Sequence, residues 1–228
     1  MQNSVVLFLF DIDGTLVLTG GAGIKALDRA FAQVFALKGA CTHYKPGGMT
    51  DPIIIEEITT THLGRGPTPA ETVAVLEAYV GFLAEEVARS ARYQIMPGVM
   101  GALDLLAGRG ATVGLATGNV EAGARIKLER GDLWRRFPFG GYGSDAADRG
   151  LLVRRAIERG EAHAGRPFAG HEVVVIGDTP RDVAAAHACG ALAIGVATGP
   201  DSSEVLRAAG AEVTFETLEE LPAWLAAL

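Results

Sequence analysis

Cysteine is scarce in this chain: Cys41 and Cys189 are the 2 present among 228 residues, too far apart to read as a disulfide framework or a paired metal-ligand motif. Two reduced, buried thiols are expected. Basic charge is scarce as well. Set against 27 Asp and Glu, 20 Lys and Arg leave a formal net charge of -7, which offers no general attraction to nucleic acid or anionic lipid. Long apolar runs are missing too. The N-terminal stretch from Val5 to Phe10 is too short for a membrane span, has no basic leader and ends at Asp11, so neither a signal peptide nor a membrane anchor is expected. A cytoplasmic protein that binds neither nucleic acid nor membrane follows as the expectation. Charged residues make up 21% and hydrophobic residues 49%, which excludes intrinsic disorder and supplies a sizeable core. The length suits one large domain or a core carrying a smaller insertion. Glycine is abundant at 30 residues without a collagen period, which suits tight turns and close packing.

Short, continuously apolar runs punctuate the chain at Val5 to Phe10, Thr112 to Ala116, Val173 to Ile176, Ala191 to Val196 and, more weakly, Glu212 to Phe215. Such runs read as parallel strands buried on both faces. Between them Val99–Arg109, Glu121–Arg130, Gly150–Ala164, Arg181–Cys189 and Ser203–Ala209 have the length and spacing of crossover helices, and Leu221–Leu228 reads as a last short helix. The pattern predicts a doubly wound, Rossmann-like α/β parallel sheet. From Leu18 to Ile95 no strand is expected, while Ala22–Leu37, Asp51–His62 and Pro69–Arg92 read as helices, with Thr68 and Pro69 as an N-cap and first-turn pair. The expected organisation is an α/β core of residues 1–18 and 97–228 interrupted by an all-helical cap of residues 19–96, with hinges at Gly20 to Gly23 and Met96 to Gly98.

Three strand ends carry chemistry. In LFLFDIDGTL, Asp11 and Asp13 lie two apart at the end of an extended run, so both can face one site while Gly14 lets the chain turn. Paired carboxylates there suggest a cation or a shared proton between them, the alternative being that Asp11 begins a turn and Asp13 caps a helix. VVVIGDTPRDV repeats the theme: Asp178 ends a strand and Asp182 follows four residues on at a helix start, where oxygen ligands hold a hard cation. Asp178 is also a candidate N-cap there, with Pro180 in the first turn. In GLATGN, the Thr117 hydroxyl and the amides of Gly118 and Asn119 can form an anion pocket, or Thr117 can simply make a turn.

In this order the DxDGT, TGN and GDxxxD segments resemble the motifs of the haloacid dehalogenase superfamily of phosphohydrolases, over essentially the whole chain. The helical stretch between the first two motifs is similar in position and length to the small cap of the phosphoglycolate phosphatase and β-phosphoglucomutase branch. That family usually has a Lys before the helix preceding the GDxxxD strand, where this chain reads GSDAADRGLL. Arg149 is assigned that cation's role; Lys127, in the mid-helix segment IKLER, competes for it but is expected to face solvent.

The resemblance implies a Mg²⁺-dependent phosphatase of a small phosphorylated metabolite, similar to phosphoglycolate. Asp11 would be the nucleophile forming an aspartyl phosphate and Asp13 the general acid and base. Thr117, Gly118, Asn119 and Arg149 would hold the phosphoryl group. Asp11, Asp13 through its backbone carbonyl, Asp178 and Asp182 would hold the metal. The loop of Gly47, Gly48, Met49, Thr50 and Asp51 is the expected substrate contact, or else an ordinary turn with Thr50 or Asp51 as a helix cap. A phosphosugar mutase and a non-catalytic phosphate-binding module on the same fold are the alternatives. A true dehalogenase is disfavoured by the presence of Asp13, and a nicotinamide dehydrogenase by the lack of GxGxxG after Phe10.

Overall fold

The computed structural model describes residues 7–227, so Val5 and Val6 of the expected first strand and Leu228 of the last helix lie outside the described residues. The strands and helices follow in the order β1 (Leu7–Phe10), β2 (Val17–Leu18), α1 (Ala22–Phe35), α2 (Asp51–Leu63), α3 (Pro69–Arg89), β3 (Gln94–Ile95), α4 (Val99–Gly108), β4 (Thr112–Thr117), α5 (Glu121–Glu129), β5 (Gly140–Tyr142), α6 (Arg149–Ala164), β6 (Val173–Gly177), α7 (Pro180–Ala188), β7 (Leu192–Val196), α8 (Ser203–Ala208), β8 (Val213–Phe215) and α9 (Leu221–Ala227). Six strands form one parallel sheet in the order β5-β4-β1-β6-β7-β8, the expected doubly wound α/β architecture.

Alternation along the strands divides the core in two. Phe8 and Phe10 join Leu115, Ile176 and Ile194 on one face, covered by α4, α5 and α9, whereas Leu7 and Leu9 join Val173 and Val175 on the other, covered by α6, α7 and α8. Strands apolar on both faces are what a sheet with helices on both sides requires. Helices α1, α2 and α3 bury a cluster of their own: Val75, Tyr79, Leu83 and Val87, spaced four apart on α3, pack with Phe31 of α1 and Ile55 and Ile58 of α2. Helix α3 begins at the expected Thr68, whose hydroxyl accepts from Glu71 N at 3.3 Å while Glu71 Oε2 accepts from Thr68 N at 2.7 Å. It ends at Arg89, three residues short of the expectation, because Ser90 adopts an extended conformation.

Three strands depart from the sequence reading. β2 and β3 pair antiparallel at the two ends of the helical insertion, Val17 opposite Ile95, in the interval where no strand was expected. Two-residue strands carry no periodicity. β5 is GGY, and its first two residues offer no apolar side chain to signal burial. Glycine is needed there because a Cβ at Gly141 would overlap Leu152 O of α6.

The order of the strands decides where a site can form. The chain leaves β1 toward β4 on one side and returns through α6 to β6 on the other, so the crevice at the carboxyl end of β1 is the topological switch point. Register brings the strand ends level: Phe10 lies beside Leu115 and Ile176.

Candidate active site

Asp11 follows β1 directly, is only 4% exposed and donates its N–H to Ile176 O at 2.9 Å. The chain then turns sharply through Gly14, whose φ of 85° lies in the left-handed region and whose N–H donates to Val17 O at 2.9 Å. No side chain fits at Gly14, since its Cβ would overlap the Asp178 carboxylate. Two hydroxyls fix the turn: Thr198 donates to Gly14 O at 2.6 Å and Thr15 donates to Asp178 Oδ1 at 3.1 Å.

Asp11, Asp178 and Asp182 are all buried and each offers a carboxylate oxygen within 4.8 Å of the others. Burial pushes the Asp178 carboxyl up to about 9, helped by the charges of Asp182 and Asp11. Asp11 is raised to about 7, again chiefly by burial, with Arg149 opposing and Asp182 and Asp13 adding to the shift. Arg149 Nη2 lies 3.0 Å from Asp11 Oδ1 and also pairs with Asp182 Oδ1. A single guanidinium between two of three buried acids leaves Asp178 without a cationic partner among the described residues. The donor set therefore fits a hard divalent cation, which prefers carboxylate oxygens. Asp182 is in addition tied to its own helix: its Oδ2 accepts from Thr179 N at 3.0 Å and Thr179 Oγ1 at 2.7 Å. The N-cap of α7 is thus Thr179 and not Asp178, which leaves the Asp178 carboxylate facing the crevice.

At the end of β4, Thr117 is fully buried and its Oγ1 accepts from the side-chain amide of Asn119 at 2.8 Å and from the Asn119 backbone amide at 3.3 Å. That backbone amide therefore turns back on Thr117. Asn119 Nδ2 also donates to Asp13 Oδ2 at 2.8 Å. Lys127 corrects the sequence reading. It is 4% exposed, and its Nζ donates to Asp13 Oδ2 and to Asn119 Oδ1, both at 2.6 Å. The expected solvent-facing lysine is buried because α5 lies under α3 of the insertion, a contact that the sequence of α5 does not announce. Both candidate cations thus reach the crevice, Arg149 beside Asp11 and Lys127 beside Asp13. Asp13 keeps its side chain half-exposed and is not one of the group of three carboxylates.

The loop of residues 47–51 meets the core directly. Asp51 N donates to Gly118 O at 2.8 Å, Asp51 Oδ2 accepts from Val120 N at 2.8 Å, and Thr50 Oγ1 donates to Ala147 O at 3.0 Å. Arg149 and Arg181 donate to Gly48 O and Gly47 O at 2.9 and 2.7 Å. Thr50 is the N-cap residue of α2, as the alternative reading of this loop expected, but its side chain makes no capping hydrogen bond and reaches Ala147 O instead. Burial raises the Asp51 carboxyl to about 6, with Lys127 opposing the shift. Together the strand ends, this loop and the helices above it line an open cavity of about 570 Å³, whose walls include Asp11, Asp13, Asn119, Lys127, Arg149 and Asp178.

The sequence pattern described as haloacid dehalogenase-like hydrolase matches residues 5–190. The chain belongs to this family. The hydrolase is 29% identical over 222 residues to the Dickeya dadantii (strain 3937) protein named "Probable phosphatase IndB", covering 94% of this chain and 91% of that one. It is 27% identical over 224 residues to phosphoglycolate phosphatase of Rhodospirillum rubrum, covering 95% and 89%. A crystal structure of a hydrolase from Pseudomonas syringae has the same fold, with a TM-score of 0.74 at 22% identity, covering 98% of this chain and 99% of that one. Within the hydrolase, sequence reasoning missed the contacts of Lys127 and Asp51, and it missed Thr198 and Gly199, where a Cβ would overlap Asp178. The TG pair following the β7 run was the available signal for the last two. Among the described residues no helix is long and apolar enough to cross a membrane.

Proposed function

We propose that this hydrolase is a Mg²⁺-dependent phosphoric monoester hydrolase acting on a small phosphorylated metabolite, with residues 19–96 serving as a helical cap over an α/β core of residues 1–18 and 97–228. The observation that carries this reading is the position of Asp11: buried at the end of the central strand, on the wall of an open cavity, with a guanidinium 3.0 Å from its Oδ1. Asp11, Asp178 and the backbone carbonyl of Asp13 would hold the metal, with Asp182 orienting Arg149 and the metal's waters. When bound, the cation supplies charge that keeps Asp11 ionised and offsets repulsion between that carboxylate and a dianionic phosphate.

In this reading an Asp11 carboxylate oxygen attacks phosphorus in line. The bond to the leaving alcohol oxygen breaks, and Asp13 gives that oxygen its proton. Water then attacks the aspartyl phosphate, Asp13 takes the water's proton, and inorganic phosphate leaves with Asp11 restored. Thr117 Oγ1, the amide of Gly118 and Arg149 hold the transferring oxygens, preorganised donors where charge develops. Lys127 and Asn119 keep the Asp13 carboxylate aimed. Enclosure by the 47–51 loop excludes bulk water before attack.

The test is phosphate release from 4-nitrophenyl phosphate with Mg²⁺ or with chelator, for the wild type and Asp11→Asn. Release that needs both Mg²⁺ and Asp11 is expected. Release unaffected by Asp11→Asn overturns the mechanism. Release that appears only as exchange, on adding a trace of a sugar bisphosphate, converts the reading to a mutase. Tight binding of phosphate esters without turnover converts it to a binding module.

A further inference from the structure

The cavity above the carboxylates has two halves of opposite character. Its floor is ionic, built by Asp11, Asp13, Arg149 and Asp178, whereas its roof is lined by Ile24 and Leu27 of α1, Ile54 of α2, Tyr79 of α3 and, from the loop before α2, Tyr44 and Met49. The polar groups in that upper half already have partners. Tyr44 Oη donates to Glu57 Oε2 at 2.7 Å, Asp51 Oδ2 is held by Val120 N, and Lys127 Nζ is held by Asp13 and Asn119. Lys45 also lines the cavity, but it is exposed to solvent and makes no ion pair among the described residues. Tyr79 is the buried group left without a partner: it is 3% exposed overall, it lines the cavity, and its hydroxyl makes no hydrogen bond among the described residues.

Resting on the phosphatase reading above, we propose that the leaving group of the substrate is an uncharged, mainly apolar alcohol, aromatic or branched aliphatic, that packs against Ile24, Leu27, Met49 and Ile54 and offers one hydrogen-bonding group to Tyr79 Oη. A second carboxylate on the substrate, as in phosphoglycolate, would lie among Ile24, Leu27 and Ile54 beside the Asp51 carboxylate, and the one lining cation without a side-chain partner among the described residues is the exposed, solvated Lys45, so the substrate carboxylate would lose hydration for a weak partner. A sugar would bury several hydroxyls where one tyrosine hydroxyl is available, and unpaired polar groups discriminate strongly in such sites. An apolar group pays neither penalty and removes hydrocarbon from water on both sides.

The experiment compares kcat/KM at saturating Mg²⁺ for benzyl phosphate, 2-phosphoglycolate and glucose 6-phosphate, all esters of unactivated alkyl alcohols, with the wild type and with Ile24→Asn, Ile24→Val and Tyr79→Phe. Benzyl phosphate is expected to exceed the other two by tenfold or more. Ile24→Asn is expected to lower that ratio at least fivefold, while Ile24→Val, checked for folding by its melting curve, keeps it within about twofold. Tyr79→Phe is expected to leave benzyl phosphate ahead and to cost tenfold on 4-(hydroxymethyl)benzyl phosphate, whose added hydroxyl needs the phenol. Turnover of phosphoglycolate or glucose 6-phosphate equal to or above that of benzyl phosphate overturns the inference and leaves the phosphatase reading standing. Release from none of the three, with 4-nitrophenyl phosphate also inert, overturns both.

Discussion

Three buried carboxylates held with one guanidinium predict that the metal-free protein loses stability as the pH rises. Asp178 is the decisive group, with an ordinary value of 3.8 in the unfolded chain and about 9 in the fold. An acid that holds its proton more tightly when folded stabilises the fold fully below about pH 4, and that contribution is lost as pH rises through its folded value. Between about pH 5.5 and 7.5 the folded state keeps one more proton at Asp178 than the unfolded state does, a slope of about 1.4 kcal/mol per pH unit, hence a loss of about 3 kcal/mol. Asp51, raised to about 6, and Asp11, raised to about 7, act in the same direction and steepen the lower part of the window. For a chain of this size, a loss of about 3 kcal/mol lowers the melting temperature by about 6–12 °C. The assay is thermal or urea unfolding in chelator at three pH values across the window, repeated in excess Mg²⁺. Mg²⁺ binds the ionised carboxylates of the folded state, so its stabilisation grows with pH and flattens the curve. A metal-free protein whose stability is level or rises from about pH 5.5 to 7.5 would refute the account of how these acids are held.

Lys127→Met removes the cation from Asp13 and leaves Asn119 Oδ1 without its donor, while Asp13, half-exposed, remains hydrated; a cost of about 1–2 kcal/mol in urea unfolding is expected, with at least a tenfold fall in kcat. Arg149→Met strips the cationic partner that Asp11 and Asp182, both buried, share, so a larger loss of about 3–5 kcal/mol is expected in metal-free protein, partly restored by Mg²⁺. Gly199→Ala drives a methyl into the Asp178 carboxylate, and calorimetric titration with Mg²⁺ should find affinity reduced tenfold or more in a protein that still folds. Thr68→Ala, far from the cavity, removes a capping box and should cost about 1 kcal/mol with turnover unchanged.

Much of this architecture is legible in the sequence because β1, β4, β6 and β7 are apolar on both faces and the first three of them run into Asp11, Thr117 and Asp178. The same logic fails for β5, where packing against α6 demands bare backbone at Gly141 and so erases the hydrophobic signal. It fails for Lys127 for another reason. Periodicity within α5 speaks of one helix, whereas the burial of Lys127 depends on α3, from a segment inserted far upstream. Asp51 is a like case: its sequence neighbourhood reads as a helix start, and its partner Val120 lies 69 positions away. Contacts made between the insertion and the core are therefore where reading the sequence ends, and they are also where the cavity acquires its two halves.

The central place of β1 has a consequence for how the protein is made. During synthesis β1 has no neighbour in the sheet until β4 has been made, and its other side is vacant until β6 follows. The bond from Thr15 to Asp178 closes a separation of 163 positions, and that from Lys127 to Asp13 one of 114. At about 5–20 residues per second, the nascent chain carries an unpaired, wholly apolar strand for several seconds. Such a strand is open to mispairing, and long-range closure of this kind slows folding. Helices α1 to α3, which follow β1 in the chain, have a hydrophobic cluster of their own to fold around while the strand waits. A truncated translation product ending before β6 would present Asp11 and Asp13 without the acids that complete the group, and its synthesis would yield no working site.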